Sequence, residues 1–186
     1  MMQVGPTQNL LDYHRPHSLD IKVVRFFSTY GPRMDHNDGR RASNFIVEAL
    51  QVNDITIHGN GQQTRSFCYT DNLIDAMFKT MNSEEGFTGS ANIDNQGEFT
   101  MQQLAETILN LSGSKSKNIH KGLPSYDPKQ RQPNIELAKT KLEWEPKINL
   151  EDDLIETIAY FRKLLTWPTT TRCLFDNFFL VRNFCN

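Results

Sequence analysis

Arginines beside turns are the residues of this sequence with the widest chemical reach. Arg33 and Arg40 flank residues 34–39, Arg65 follows the turn Gly59-Asn60-Gly61, and Arg131 stands between Pro128 and Pro133. An arginine offers a planar fork that holds two phosphate oxygens at once, a geometry that lysine lacks. Several forks on separate loops, brought to one end of a sheet, suit a diphosphate. The bland alternative is a set of surface arginines paired with Asp and Glu, and such pairs are commonplace.

Other chemistry is largely excluded. Gly59-Asn60-Gly61 lacks a third glycine at dinucleotide-fingerprint spacing and lies late in the α/β run, so it reads as a turn. No Walker sequence, HExxH or Gly-x-Ser-x-Gly occurs. His14 and His17 stand at helical spacing without a third ligand nearby, which favours solvated histidines over a metal site. The three cysteines, Cys68, Cys173 and Cys185, are too scattered for a disulfide framework or a zinc site, which points to a reducing compartment.

The elements that must position these arginines alternate between strand and helix, so the fold class is α/β. Residues 9–17 resemble the end of a helix, with Pro16 discouraging its continuation. Residues 21–27 are β-branched and aromatic and predict a largely buried strand, broken by Tyr30-Gly31-Pro32. Ala42, Phe45, Ile46, Ala49 and Leu50 follow helical spacing over residues 40–52. Residues 55–57 and 65–69 read as extended. Asp71 is a candidate N-cap for a helix with Leu73, Ile74, Met77, Phe78 and Met81 on its apolar face. Residues 90–93 predict a strand, Thr100 with Gln103 a capping box, and Gly113 a helix stop. A short helix begins near Asn134. A last one follows Asn149, with Leu154, Ile155, Ile158, Ala159, the Arg162 stem and Leu165 as its expected buried stripe.

The chain has 186 residues, 38% of them hydrophobic, with 20 Lys+Arg against 22 Asp+Glu and a net charge of −2. That length suits one domain or part of a larger one, able to bury roughly 70% of its unfolded surface. No window reaches the about 18 apolar residues of a membrane span. The opening Met1-Met2-Gln3-Val4-Gly5-Pro6 does not look like a signal peptide, and no basic block suggests nucleic acid. A cytoplasmic protein without membrane or nucleic-acid partners is the expectation. Residues 173–185 hold four of the 12 phenylalanines, in a segment too short and too charged to span a bilayer.

Longer strings carry a resemblance. Arg25-Phe26-Phe27-Ser28-Thr29-Tyr30-Gly31-Pro32-Arg33-Met34, Asn37-Asp38-Gly39-Arg40 and Ser43-Asn44-Phe45-Ile46 come first. Gly59-Asn60-Gly61-Gln62-Gln63-Thr64-Arg65-Ser66-Phe67 and Gly97-Glu98-Phe99-Thr100-Met101 follow, then Asp127-Pro128-Lys129-Gln130-Arg131-Gln132-Pro133 and Trp144-Glu145-Pro146-Lys147. In this order they resemble the UDP-glucuronic acid decarboxylases (UDP-xylose synthases) of the extended short-chain dehydrogenase/reductase superfamily, over about residues 10–165. The resemblance implies the C-terminal part of a Rossmann-type enzyme with its substrate-binding lobe, here residues 9–165, followed by an unmatched apolar tail, 166–186. It implies a family chemistry in which bound NAD oxidises C4 of UDP-glucuronate, CO₂ leaves the β-keto acid, and the hydride returns to give UDP-xylose.

Site residues carry over one by one. Arg65 and Arg131 match arginines that hold the nucleotide diphosphate, and the match to Arg131 is a proposed proton donor in one related group. Thr29 and Arg40 match positions near the cofactor. Tyr13 matches a position facing substrate, and Asn44 a possible substrate contact, with helix capping as its structural alternative and turn hydrogen bonding as that of Thr29. The family's glycine fingerprint and its Tyr-x-x-x-Lys pair are not found in this sequence, and Ser28 stands where the family usually has Asn. No catalytic residue is therefore assigned, and the chain alone is expected neither to hold NAD tightly nor to decarboxylate. The alternatives are a non-catalytic nucleotide-sugar-binding or subunit-interaction fragment, and a relative of dTDP-glucose 4,6-dehydratase. A homodimer or a complementing N-terminal half is the expected protein partner.

Overall fold

The structure, a computed structural model, describes residues 20–87, 90–122, 130–147 and 149–166, with only the backbone of residues 130 and 131. The expected helix end at 9–17 with Tyr13, His14 and His17, the loop around Pro124 and Pro128, and the tail with Cys173 and Cys185 lie outside them.

Strands and helices alternate as the pattern demands. In chain order they are β1 (Val23–Phe26), β2 (Thr29–Tyr30), α1 (Arg41–Leu50), β3 (Ile55–His58), β4 (Thr64–Ser66), β5 (Cys68–Tyr69) and α2 (Thr70–Met81). Then come β6 (Ser90–Ile93), β7 (Glu98–Thr100), α3 (Met101–Ser112), β8 (Asn118–Lys121), β9 (Gln130–Arg131), α4 (Glu136–Leu142) and α5 (Leu150–Thr166). Parallel pairing dominates: β1 with β6, β2 with β5, β3 with β8 and β4 with β9. Only β4 with β7 is antiparallel among the described strands. Parallel strands need long crossovers, and helices fill them here.

Two cores hold the elements. The larger joins α1, α3 and α5 over β2 and β3, with Phe45, Ile46, Ile57, Leu104, Ile108, Leu154 and Phe161 buried. In the smaller, Ala76 of α2, Ala91 and Ile93 of β6 and Ala138 of α4 surround Trp144. Trp144 Nε1 donates to the Asn72 carbonyl at 3.1 Å, so the indole is buried with its one polar group satisfied.

Local chemistry explains most boundaries. At α3, Thr100 Oγ1 accepts from the Gln103 N–H at 3.0 Å, and the Gln103 side chain accepts from the Thr100 N–H at 2.9 Å. This is the reciprocal box expected from the sequence, and Gly113 ends the helix at φ 65°. The turn after β3 is as read, with Gly59 and Gly61 both at positive φ. A Cβ on Gly61 would press on Gln102 and Ile57 at 3.2–3.3 Å, so this turn is packed shut against α3.

Four expectations are corrected. β1 is not largely buried: Val23 is, whereas Arg25, Phe26 and Phe27 are exposed, because among the described strands only β6 pairs with it. Asp71 is not the N-cap of α2, which begins one residue earlier after Tyr69 and has no side-chain cap. The apolar face of α2 is also not its buried face. Asn72, Ala76 and Thr80 face the core, while Ile74, Met77, Phe78 and Met81 are exposed. On α5, finally, the buried stripe is turned from the expected one: Leu150, Asp153, Leu154, Thr157, Ile158 and Phe161 are buried, and Ile155 and Ala159 are exposed. Tyr30 Oη donates to Asp153 Oδ2 at 3.0 Å, which gives a carboxylate a place in the core where sequence pattern would put an aliphatic residue.

Candidate functional site

The ends of β1 and β4 and the start of α1 enclose a cleft of about 450 Å³. Phe26, Phe27, Ser28 and Thr29 form one wall, Gly39, Arg40, Arg41 and Ala42 the second, and Arg65, Ser66, Phe67 and Asp94 the third. The strand order brings these segments together although they are far apart in sequence.

Helix α1 presents its N-terminus to this space. Gly39, at φ 74°, leads into it, and the N-cap residue Arg40 makes no side-chain hydrogen bond to the first turn. Uncapped N–H groups and the positive end of the helix dipole both favour an anion. Arg40 is held beside them by its backbone N–H, which donates to Asp38 Oδ1 at 2.9 Å. Its guanidinium lies 3.5 Å from Asp38 Oδ2 and 3.4 Å from the Thr29 carbonyl. Thr29 is buried, and its backbone N–H donates to the Phe27 carbonyl at 2.9 Å, the turn bonding that formed the alternative to a cofactor role.

Arg65 is 5% exposed, unusual for a cation, and one of its terminal nitrogens donates to the Thr64 carbonyl at 2.6 Å. Strand β9 lies parallel to β4 with Arg65 opposite Arg131. The two arginines singled out in the sequence are therefore cross-strand neighbours, on strands about 4.8 Å apart. The side chain of Arg131 and all of Tyr13 lie outside the described residues. Asn44 is exposed in the first turns of α1, does not line the cleft and caps nothing; its N–H donates within the helix to the Arg40 carbonyl. Thr29, Arg40 and Arg65 are thus brought together and Asn44 is not.

Sequence reasoning missed Ser66 and Asp94. Ser66 Oγ donates to Asp94 Oδ2 at 2.6 Å, the Asn95 N–H donates to Asp94 Oδ1 at 2.8 Å, and the residue is fully buried. Burial pushes its carboxyl up to about 6, against the lowering effect of both hydrogen bonds. Cys68, on the neighbouring strand, is pushed up to about 12 by burial and then by the Asp94 charge, so its thiol stays protonated. An aspartate directly after a strand, at the carboxyl end of a parallel pair, was the signal available. Among the described residues no cluster of His, Cys, Asp and Glu is placed to hold a metal, and no helix is long and apolar enough to cross a membrane.

Comparison with known proteins gives this geometry a context. Residues 7–93 match the NAD dependent epimerase/dehydratase family. UDP-glucuronic acid decarboxylase 3 of Arabidopsis thaliana is 44% identical over 86% of this chain and 46% of its own length. UDP-glucuronic acid decarboxylase 1 of Xenopus tropicalis is 40% identical over 82% of this chain and 36% of its own. The chain spans less than half the length of these curated relatives. Among solved structures, UDP-glucose 4-epimerase of Thermotoga maritima with UDP-glucose superposes with a TM-score of 0.80 at 28% identity, over 86% of this chain and 51% of that one. UDP-glucuronic acid 4-epimerase of Bacillus cereus, in complex with UDP-glucuronic acid and NAD, gives 0.77 at 26% identity, over 83% and 49%. The α/β, Rossmann-like class expected from the sequence is the observed one.

Proposed function

We propose, from the premise that this chain is a relative of the UDP-glucuronic acid decarboxylases within the NAD dependent epimerase/dehydratase family, that its cleft holds the diphosphate of a UDP-sugar. One observation carries the reading: Arg40, Arg65 and the uncapped N-terminus of α1 line a single cleft, with Arg131 in register beside Arg65. Arg65 is 5% exposed yet lines the cleft, and a guanidinium held in such a place can grip two phosphate oxygens at once.

The fit to NAD is partial. Thr29 and Arg40 line the cleft, but Gly59-Asn60-Gly61 is packed against Gln102 and Ile57 and offers no cradle for a pyrophosphate. In the family NAD supplies hydride acceptance at the sugar's C4. The residues of this chain supply the clamp on the nucleotide, and the proton-transferring Tyr and Lys must come from elsewhere. We therefore read residues 9–165 as the substrate side of a UDP-glucuronate decarboxylase, with 166–186 as an appended tail and a complementing nucleotide-binding half as the partner. Among the described residues β1 is paired on one edge only and the apolar face of α2 is exposed, which favours such a partner, since parallel sheets are ordinarily paired and covered.

A titration with UDP-glucuronate followed by NMR tests the binding. Two charge-assisted forks in half a pocket predict a dissociation constant near the millimolar range, with ΔG about −4 kcal/mol. Arg65→Ala is expected to weaken it about tenfold, and binding indifferent to that change would remove the reading. With NAD and UDP-glucuronate but no second chain, no UDP-xylose above a boiled control is expected.

A further inference from the structure

Asp94 is the one carboxylate among the residues lining the cleft, and nothing in the binding reading uses it. It is fully buried, and among the described residues it accepts from Ser66 Oγ and from the Asn95 N–H and makes no ion pair. The charged groups that line the cleft with it are Arg65 on β4 and Arg40 and Arg41 at α1, and the Cys68 thiol on β5 feels its charge. Arg25 of β1 lies outward, opposite Asn92, and Glu98 of β7 accepts from Thr64 Oγ1.

We propose that Asp94 is the proton-linked gate of the cleft, taking up one proton from solvent when a diphosphate enters, with Ser66 as the group that responds. The inference rests on the diphosphate reading above. A buried carboxylate and a bound dianion then share the lining of one cleft, and protonating the carboxylate removes their mutual repulsion. A sugar-nucleotide diphosphate is a strong acid and stays ionised, so the proton goes to Asp94.

The hydrogen-bond inventory gives the second half of the argument. While Asp94 is ionised it can only accept, so the Ser66 hydroxyl must spend its single hydrogen on Oδ2. Once Oδ2 is protonated, it donates to Ser66 Oγ instead. The Ser66 hydrogen is then released toward the cleft, which Ser66 also lines, and becomes a donor for a phosphate oxygen. One proton thus removes a repulsion and adds a donor beside Arg65. A carboxyl already lifted to about 6 by burial starts closer to protonation at neutral pH than an ordinary aspartate, and the charge of a bound anion lifts it well beyond.

UDP-glucose is the probe, because its diphosphate is a diester without a titration between about pH 5 and about pH 8. Affinity is measured across that range, and calorimetry in two buffers of different ionisation enthalpy counts protons. The wild-type chain is expected to bind more weakly as pH rises above about 6, approaching tenfold per pH unit, and to take up close to one proton per ligand at neutral pH. Asp94→Asn keeps acceptor and shape. It is expected to bind at neutral pH as the wild type does under mildly acidic conditions, without slope or uptake. Asp153→Asn, whose carboxyl titrates in the same range away from the cleft, is expected to keep the wild-type slope. Ser66→Ala is expected to keep proton uptake while losing several-fold in affinity at acidic pH. Binding without proton uptake by the wild type, or an unchanged slope in Asp94→Asn, overturns the gate and leaves the diphosphate reading standing. No binding by either protein at any pH overturns both.

Discussion

Asp153 enters the core of α5 because Tyr30 meets it there, and both pay for the arrangement in their protonation. Burial, followed by the neighbouring Asp153 charge, drives the Tyr30 hydroxyl far above its ordinary range, so it remains a donor. Burial also raises the Asp153 carboxyl to about 6, partly offset by the Tyr30 hydrogen bond and reinforced by Asp152 and Asp71. A carboxyl raised in the folded state binds protons there that the unfolded chain has already lost. Its contribution is therefore fullest below the ordinary carboxylate value and falls away as pH rises through about 6. Urea unfolding followed from about pH 4 to about pH 7 is expected to show declining stability over that window. Asp153→Asn retains an acceptor for Tyr30 and is expected to be more stable than the wild type at neutral pH by up to about 2 kcal/mol, with the decline made shallower. Equal slopes in the two proteins would show that Asp153 is as well solvated folded as unfolded.

At the level of elements, α3 and α2 show where sequence carries structure and where it stops. The start of α3 was legible because a capping box is local: Thr100 and Gln103 satisfy each other's backbone N–H groups whatever surrounds them. Thr100→Ala is expected to cost about 1 kcal/mol, read as a lower unfolding midpoint, and Thr100→Ser to cost less. That α2 is a helix was legible for the same kind of reason, since a periodic pattern needs no neighbours to be recognised. Its orientation was not. Burial depends on what lies above each face, and β6, α4 and Trp144 lie above Asn72, Ala76 and Thr80. The same distinction divides the cleft. Arg40 and Arg65 stood out by residue type and turn context, whereas the Ser66–Asp94 pair joins positions on different strands and has no local signature. The rotation of α5 likewise follows from a hydrogen bond between residues 123 positions apart.

For the molecule as a whole, the two cores leave large apolar side chains exposed among the described residues. Phe78 is 62% and Met81 69% exposed on α2, and Phe26 and Phe27 are exposed on a strand whose second edge has no partner among the described residues. An open strand edge beside apolar side chains is an association surface. The chain alone is expected to sediment as a concentration-dependent mixture. Replacing Phe78 with Glu and Met81 with Lys is expected to shift it toward monomer, with stability changed by no more than about 0.5 kcal/mol. A monodisperse wild-type monomer would refute this. The parallel ladders also set a schedule for synthesis. Val23 pairs with Ser90, Ile55 with Asn118 and Thr64 with Gln130, each partner several tens of residues later in the chain. A ribosome adds about 5–20 residues per second, so every one of these strands waits seconds for its neighbour to be made. During that interval each strand's unpaired edge is open to the wrong neighbour, so the order of synthesis itself exposes this fold to mispairing.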